Sequence, residues 1–408
     1  MRRSSVLVVA TEGTCLLLEE VSRVEVCQVR NKRSSSSMSK KDKRAGMPKQ
    51  SDFTGGLVSN VACSFVGSSG EKVVDEKIMA LASELVSDDR ACLLAEMMTT
   101  AVRMARGNTE LGDFKLANRA LRELRESNEV FHPYRNFQKI ALFGSARTKP
   151  DEAEYQTAVD FTHKLKELGF MTITGAGPGI MAAGNEGATR DFSFGLNITL
   201  PFETSANAFI KGDPKLIDYD FFFTRKLAFV KEAAAAVGLP GGMGTMDEIF
   251  EALTLIQTGK VTVYPIVCLD SKGGTYWKAW NQFITEHLFR LDLISESDFE
   301  LFTVTDDVDA AIEEIVHFYK IFHSYRYVGD QLVIRLSEEL TDGAVKKLTM
   351  EFADIIKVGK IEKCATLEEE RNEPELAELY RLKLRHRRRD FGRLRQFINA
   401  IDNSEFES

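Results

Sequence analysis

The chain changes its hydrophobic pattern twice along its length. From about 71 to 130, apolar residues recur every three or four positions, as in Ile78 and Leu81, which is the spacing of one buried helix face. Asp88 and Asp89 stand where the N-cap of a helix belongs. We therefore expect two or three helices ahead of the main domain.

Between about 139 and 269, short apolar runs alternate with amphipathic stretches of helical length. The predicted strands are 139–144, 170–174, 194–200, 233–239 and 262–269. The predicted helices are 153–168, a helix from Gly179, 224–232 and a helix from Thr245. Such an alternation forms βαβ units, so the predicted fold is a Rossmann-like, doubly wound parallel α/β sheet. Ligands of these sheets bind at the carboxyl ends of the strands.

After about Tyr325 the pattern indicates a small α+β region. The predicted elements are a strand at 331–336, a helix at 342–356, strands at 360–366 and 379–387, and a helix at 391–401 capped by Asp390, in the order βαββα. Near the other end, the segment 31–49 is rich in serine and basic residues, as disordered arms are. Four regions are predicted: a mostly disordered basic arm at 1–70, a helical extension at 71–135, the doubly wound domain at 136–325 and a small α+β C-terminal region at 326–408.

Composition places the chain among ordinary globular proteins, since 44% of its 408 residues are hydrophobic and 28% are charged. The net charge of −8 argues against nucleic-acid binding by the whole chain, and no apolar run approaches the ~20 residues of a membrane span. The run Val6–Ala10 is too short for a signal peptide. The six cysteines form no C-x-x-C pair, so we expect no zinc site, no disulfide framework and a reducing, cytoplasmic compartment.

A first glycine-rich turn, with Gly175, Gly177 and Gly179, directly follows the predicted strand 170–174. Glycines at such a turn let backbone N–H groups approach an anion, and the following helix adds its positive N-terminal end. A dinucleotide fingerprint would need glycine where Ile180 stands and an acidic residue about 20 positions later, and neither is present. The alternative is a tight turn that only packs the helix on the sheet.

A second turn runs from Pro240 to Glu248 after the predicted strand 233–239. Gly241, Gly242 and Gly244 free the backbone for contact with an anion, with Met243 between them, and Thr245 offers a hydroxyl group. Glu248 would then face a ligand atom one sugar length from a bound phosphate. In the alternative interpretation Thr245 is an N-cap and Glu248 is its capping-box partner, which fits the T-x-x-E spacing equally well.

The pair Arg225-Lys226 changes the balance between these interpretations. It stands just ahead of the helix that feeds the third strand, so with the two glycine turns it places two cations and many amides around one crevice. Arginine suits a bidentate grip on phosphate, and lysine supplies a point charge. The combination favours a phosphorylated ligand.

The segment from about Phe137 to Phe289 resembles the LOG family of nucleoside 5′-monophosphate phosphoribohydrolases, long labelled lysine decarboxylases. The motifs that carry the resemblance are Phe143-Gly144-Ser145-Ala146, the run from Gly175 to Met181, Phe223-Thr224-Arg225-Lys226 and the Pro-Gly-Gly-x-Gly-Thr-x-x-Glu run at 240–248. The resemblance implies a Rossmann-like fold, a homodimer or higher homo-oligomer, and cleavage of the N-glycosidic bond of AMP or of cytokinin riboside monophosphates. It implies neither a metal nor an organic cofactor.

The resemblance also implies roles for individual residues. Arg225 and Glu248 would be the catalytic pair. The remaining substrate-binding residues would be Ser145, Gly175, Gly177, Gly179, Glu203, Lys226, Gly241, Gly242, Met243, Gly244 and Thr245. Ala176 and Ala182 depart from the family pattern, which bears on the choice of base. Longer members share the stretch from Arg388 to Leu394 and act as general nucleotide nucleosidases, so we favour AMP over a cytokinin nucleotide.

Three other functions fit parts of the pattern. A non-catalytic nucleotide sensor would use the same fold without turnover. A pyridoxal-phosphate decarboxylase would need a Schiff-base lysine, for which Lys226 is the one candidate. An RNA-binding module is suggested by the basic residues from Lys383 to Arg395. However, Tyr380, Leu382 and Leu384 alternate with Arg381, Lys383 and Arg385, as in a half-buried strand with a charged outer face. We therefore expect no nucleic-acid partner and no membrane partner.

Overall fold

A computed structural model of the chain describes residues 68–87, 90–199, 205–370 and 373–407. The predicted basic arm up to residue 67, the proposed N-cap at Asp88 and Asp89, and Glu203 lie outside the described residues. Three helices open the described part of the chain: α1 (Lys72–Leu85), α2 (Arg90–Arg106) and α3 (Leu111–Phe131). The predicted helical extension is therefore present, with three helices.

The main sheet has seven parallel strands, and the doubly wound fold class is confirmed. In chain order they are β1 (Lys139–Phe143), β2 (Met171–Thr174), β3 (Ser193–Ile198), β4 (Leu216–Tyr219), β5 (Ala235–Gly238), β6 (Ile266–Leu269) and β7 (Thr303–Thr305). Their spatial order is β4-β3-β2-β1-β5-β6-β7. The chain thus builds outward from β1 in one direction and then in the other, and the switch point lies between β1 and β5.

Helices cover both faces of this sheet, which is why its strands are apolar on both sides. The helices that follow these strands are α4 (Ala153–Glu167), α5 (Ile180–Ala188), α6 (Phe222–Glu232), α7 (Met243–Gln257), α8 (Tyr276–Phe283) and α9 (Val308–Phe318). Ile140 and Val237 pack with α4 and α9 on one face, whereas Ala141 and Leu196 pack with α3 and α6 on the other.

Two edge strands of this sheet, β4 and β7, were not predicted. They have four and three residues. Strand β4 alternates buried Ile217 and Tyr219 with exposed Asp218 and partly buried Leu216. Such short segments carry too few residues for a periodic hydrophobic pattern to be recognised.

A second, antiparallel sheet lies at the C-terminal end, with the order β10-β11-β9-β8. Its elements are β8 (Phe322–Val328), β9 (Gln331–Leu336), α10 (Asp342–Glu351), β10 (Ile356–Cys364), β11 (Tyr380–His386) and α11 (Phe391–Asp402). The predicted βαββα order lacked β8, and the helix predicted over 342–356 ends at Glu351. Asp390 caps α11 as predicted, since its side chain accepts a hydrogen bond from the backbone N–H of Arg393.

The predicted charged outer face of β11 is wrong for one residue. Arg381 is buried, because its Nε donates to Glu370 at 2.9 Å, and Arg335 donates to the other oxygen of the same carboxylate at 2.8 Å. Glu370 lies in a short 3-10 turn that covers this end of the sheet. The segment that leads into β11 thus supplies the partner for an arginine that the strand period alone assigned to solvent.

The cysteines differ from expectation in one respect. Cys92 is disulfide-bonded, although the wide spacing of the cysteines predicted no disulfide framework, whereas Cys268 and Cys364 are free. Spacing along the chain does not report distance in the fold.

In the described ranges, no helix has the length and apolar character that crossing a membrane requires.

Candidate functional site

A cavity of about 590 Å³ opens at the carboxyl ends of β1, β2 and β5, at the switch point of the main sheet. Its lining comes from the segment after β1, the turn after β2, the start of α6 and the start of α7. The predicted site residues among its lining are Ser145, Gly175, Arg225, Gly242, Met243, Gly244, Thr245 and Glu248. The fold therefore brings residues from four separate motifs to one place.

The turn at 240–242 is held from both sides. A Cβ atom on Gly241 would lie 2.1 Å from the Thr245 hydroxyl and 3.0 Å from the Ser145 amide nitrogen, so only glycine fits. The Tyr276 hydroxyl donates to the Gly241 carbonyl at 2.6 Å, and the Ser145 N–H donates to the Pro240 carbonyl at 3.1 Å. The backbone is thus fixed before any ligand arrives.

Helix α7 begins at Met243, and its N-cap is Gly242, which provides no side-chain cap. Thr245 is therefore the third helical residue, and the capping-box interpretation of Thr245 and Glu248 is wrong. A Cβ atom on Gly242 or Gly244 would meet nothing within 4 Å, so these positions border open space. The first N–H groups of α7, which lack partners inside the helix, border the cavity.

The first glycine turn approaches the segment after β1 closely. Gly179 has φ +65°, and a Cβ atom there would lie 2.2 Å from the Ser145 carbonyl oxygen. Ala176 adopts φ +61° in the same turn. Its carbonyl oxygen accepts hydrogen bonds from the backbone N–H and the side-chain amide of Asn207, at 2.8 and 3.0 Å. Asn207 therefore holds alanine in a backbone conformation that usually favours glycine.

Arg225 extends from α6 toward this turn. Its Nε donates to the Leu196 carbonyl at the end of β3, at 2.7 Å, and its guanidinium carbon lies 5.4 Å from the centre of the Phe229 ring. A Cβ atom on Gly175 would lie 2.3 Å from the Nη2 of Arg225. The absence of a side chain at Gly175 thus allows a guanidinium group to lie against the turn.

Glu248 is the most buried carboxylate of the cavity, with 11% of its side chain exposed. Burial raises the pKa of Glu248 to about 7, although the positive charges of Lys226 and Arg225 oppose the increase. The ammonium group of Lys226 lies 3.7 Å from Glu248 and closer to Asp247 and Glu251, at 2.8 and 2.7 Å. These carboxylates raise the pKa of Lys226, so it stays charged.

The other predicted residues support the cavity or lie outside it. Gly177 and Gly179 shape the first turn, Gly241 shapes the second, and Lys226 contacts Glu248 from outside the lining. The side chain of Met243 is 90% exposed at the mouth. Glu203 is not among the described residues.

Eight residues of the lining were not among the predicted site residues: Leu142, Phe143, Gly144, Ala146, Arg147, Met181, Phe222 and Asp247. Arg147 is exposed, and its backbone N–H donates to the Ser145 hydroxyl at 3.1 Å. Phe222 begins α6 with 53% of its surface exposed. Five of the eight lie inside a quoted motif, and Leu142, Arg147 and Phe222 each adjoin one, so extending the motifs by one residue would have included them.

Glu123 of α3 positions the helix that carries Arg225. It is fully buried, and its carboxylate accepts hydrogen bonds from the Asp220 N–H at 2.8 Å and from the Thr224 hydroxyl, and pairs with Arg119 at 3.1 Å. These contacts hold the start of α6. Helix α3 is thereby connected to the helix that carries Arg225.

We expect Glu123→Ala to lower the free energy of unfolding by about 2–4 kcal/mol, because it leaves buried donors without an acceptor. Denaturant unfolding measures the change. The matched control is Glu129→Ala on the same helix, where the carboxylate is 66% exposed and its pair with Arg125 contributes little. Equal effects of the two substitutions would contradict this role of Glu123.

Comparison with known proteins agrees with the motifs. Residues 179–315, about a third of the chain, match the family described as "Possible lysine decarboxylase". This is the LOG family, so the resemblance is confirmed for a segment that contains Arg225, Lys226 and the whole 240–248 run. No curated protein matches the chain significantly.

Several solved structures are similar to part of the chain at low identity. The molybdenum cofactor binding protein of Rippkaea orientalis is 18% identical, over 43% of this chain and 94% of that one, with a TM-score of 0.30. The molybdenum cofactor carrier protein of Chlamydomonas reinhardtii is 18% identical over 44% and 98%, with a TM-score of 0.30. DNA processing protein A of Helicobacter pylori is 12% identical over 43% and 79%, with a TM-score of 0.31. Similarity at this level does not bear on function.

Proposed function

We propose, from the LOG-family match of residues 179–315, that the chain hydrolyses the N-glycosidic bond of nucleoside 5′-monophosphates, with AMP as the preferred substrate. The products are the free base and ribose 5-phosphate. One observation carries the proposal: the buried carboxylate of Glu248 lies about one helical turn beyond the glycine-rich start of α7, in a cavity that Arg225 also lines.

The phosphate of the nucleotide binds at the start of α7. The N–H groups between Gly242 and Thr245 and the positive end of the helix suit an anion there. Arg225 supplies a full positive charge from the opposite wall. Since the phosphate does not react, its binding energy can be used to hold the sugar in place.

Glu248 acts on the ribose. As the C1′–N bond breaks, positive charge develops on C1′ and the ring oxygen, and a carboxylate beneath the sugar stabilises that charge. Water then bonds to C1′, while the base leaves with the bonding electrons and takes up a proton. The low-polarity surroundings that raise the pKa of Glu248 also strengthen its attraction for a developing cation.

The apolar side chains of the cavity suit the base. Phe222 presents an exposed ring at one wall, and Met181 lies beside the first glycine turn. A flat purine can stack on an aromatic ring with little regard to its substituents. This supports a general nucleotide nucleosidase more than an enzyme dedicated to one modified base.

A lysine decarboxylase, which the family's description suggests, does not fit these residues. Pyridoxal phosphate needs a lysine whose amine loses its proton to form a Schiff base. Lys226 is held by three carboxylates that raise its pKa, and among the described residues no lysine lines the cavity. We therefore derive no step through that cofactor.

One assay tests the proposal directly. The purified protein is incubated with AMP, IMP, GMP, CMP, UMP and N6-isopentenyl-AMP, and the free bases are separated by chromatography. Release of adenine from AMP at the highest kcat/KM is expected. Faster release of isopentenyladenine would make the protein a cytokinin nucleotide phosphoribohydrolase, and AMP binding without release of any base would make it a sensor.

We expect kcat/KM for AMP to rise with pH through a midpoint near 7 and to level off above it, because the ionised form of Glu248 is the active one and burial raises its pKa to about 7. Initial rates across pH 5–9 measure this. The phosphate of AMP also titrates, with a pKa of about 6, so Glu248→Asp serves as the control. A midpoint that Glu248→Asp leaves unchanged, or a rate that falls as pH rises, would contradict the assignment.

A further inference from the structure

The C-terminal sheet carries a second cavity, far along the chain from the nucleotide motifs. It lies beside the β8–β9 turn and the segment that follows β11, and its volume is about 500 Å³. Four cations line it: Lys357, Arg387, Arg388 and Arg389. The proposed hydrolysis makes no use of any of them.

Neutral groups orient the first two guanidinium groups. Nε of Arg387 donates to the Ile356 carbonyl at 3.1 Å. Arg388 donates to the Gly329 carbonyl and stacks on the Tyr327 ring, with its guanidinium carbon 4.4 Å from the ring centre. Carbonyl oxygens and an aromatic ring fix a guanidinium group without neutralising its charge.

The backbone at this position is fixed as well. The N–H of Arg388, which has φ +54°, donates to Nδ1 of His386 at 3.1 Å. His386 is buried, and the Tyr327 hydroxyl lies 2.7 Å from the same nitrogen. Two of the three consecutive arginines therefore project from an ordered segment whose shape does not depend on a ligand.

Carboxylates do not balance this positive charge. In the part of the chain that the structure describes, Lys357 and Arg389 form no ion pair. Asp330 is the one carboxylate among the lining residues, and it lies 3.4 Å from Arg385, outside the cavity. Four positive charges therefore face a single carboxylate, that of Asp330, which also pairs with a fifth cation, Arg385. This excess of positive charge occurs on a chain whose net charge is −8.

The positive charge is weaker beside this cavity. A smaller neighbouring cavity on the same sheet is lined by Lys360, Lys383 and Arg385. Lys383 pairs with Glu362 at 3.7 Å and Arg385 with Asp330, so among the described residues Lys360 is the one cation of that cavity without an ion pair. An extended polyanion such as RNA would need the positive surface to continue along the sheet. The surface instead suits a compact anion.

We propose that this cavity binds a small ligand with two or more adjacent phosphate groups. A phosphate monoester carries about −1.5 to −2 charges at neutral pH, so two of them match four cations. Arginine forks bind phosphate oxygens in pairs, and the exposed Lys357 adds a point charge. The inference is independent of the proposed hydrolase activity.

Calorimetric titration of the full chain with inorganic tripolyphosphate, at constant ionic strength, tests the proposal. Saturable binding is expected, and Lys357→Gln/Arg389→Gln should weaken it at least about tenfold, since each charge-assisted contact contributes on that scale. The matched control is Lys346→Gln/Lys347→Gln on α10, which removes two exposed cations from the same region. Arg225→Gln is the control for binding in the nucleotide cavity.

Loss of affinity in the first double variant alone would support the site. Three results would overturn it: absence of saturable binding by the wild type, an equal loss in the α10 variant, or a loss that follows Arg225→Gln instead. A fourth arm uses a 20-nucleotide single-stranded RNA. Tighter binding of this RNA than of tripolyphosphate would replace the compact ligand with an extended one.

Discussion

Glu248→Gln is expected to lower kcat for AMP hydrolysis by at least ~100-fold, the scale on which removal of one electrostatic stabiliser acts. Glutamine keeps the size and hydrogen-bonding capacity of the side chain but removes the charge that the transition state needs. AMP affinity should change little, because the proposed phosphate contacts are made by the α7 backbone and Arg225. Base release and calorimetric titration with AMP measure the two quantities.

The control for this substitution is Glu251→Gln. Glu251 lies almost one turn further along α7 and also contacts Lys226, at 2.7 Å, but it does not line the cavity. We expect Glu251→Gln to retain most of the activity. A Glu248→Gln variant that releases adenine as fast as Glu251→Gln would remove Glu248 from the mechanism.

Stability gives a second signature of the same substitution. Burial raises the pKa of Glu248 from 4.5 to about 7, so the folded state binds more protons than the unfolded state between these values. The free energy of unfolding therefore falls as pH rises through this range. Glutamine does not ionise, so at position 248 it causes no such fall. At pH 8 the Glu248→Gln variant should melt no lower than the wild type, so a loss of activity does not stem from unfolding.

Arg225→Ala is expected to weaken AMP binding by about 10- to 100-fold, because a charge-assisted contact to phosphate contributes about 1.5–3 kcal/mol. The value of kcat/KM should fall at least as far. The substitution also removes a positive charge that opposes the raised pKa of Glu248, so the midpoint of the pH profile should move upward. Titration with AMP and the pH dependence of kcat/KM measure both effects.

Arg190→Ala provides the matched control, since Arg190 also donates to a backbone carbonyl, that of Lys211 at 3.2 Å, and does not line the cavity. Unchanged AMP affinity in the Arg225→Ala variant, with an unmoved pH midpoint, would place Arg225 outside the nucleotide site. A similar loss in both variants would show that the effect is not specific to the cavity.

The main sheet could be predicted because its central strands are short, largely apolar runs, each separated from the next by a stretch of helical length or by a glycine-rich turn. The cavity could be located for the same reason, since both glycine turns follow such strands and parallel strands end at one edge. The short edge strands β4 and β7 gave no comparable signal. Strand β8 was missed because His323, Ser324 and Arg326 interrupt its aromatic residues, and their partners come from other strands and turns.

The local pattern around Thr245 and Glu248 was ambiguous for a different reason. The T-x-x-E spacing matches a capping box with Thr245 as the N-cap, yet the N-cap is Gly242, three residues earlier, and Gly241 beside it lies close to both Thr245 and the segment after β1. Contacts between separate segments therefore decide the start of this helix. The burial of Arg381 depends in the same way on Glu370, which no period in β11 reveals.

Helix α7 has one end in the cavity and its apolar side in the core shared with the C-terminal sheet. Ile249, Ala252 and Ile256 belong to the same cluster of buried side chains as Leu394 of α11. Directly after α7, Gly259 lies so close to the Phe391 ring that a Cβ atom there would be 2.1 Å from it. Helix α7 and the C-terminal region thus share one core, so we expect a truncation before β8 to remove packing that supports the helix and to destabilise the main sheet as well.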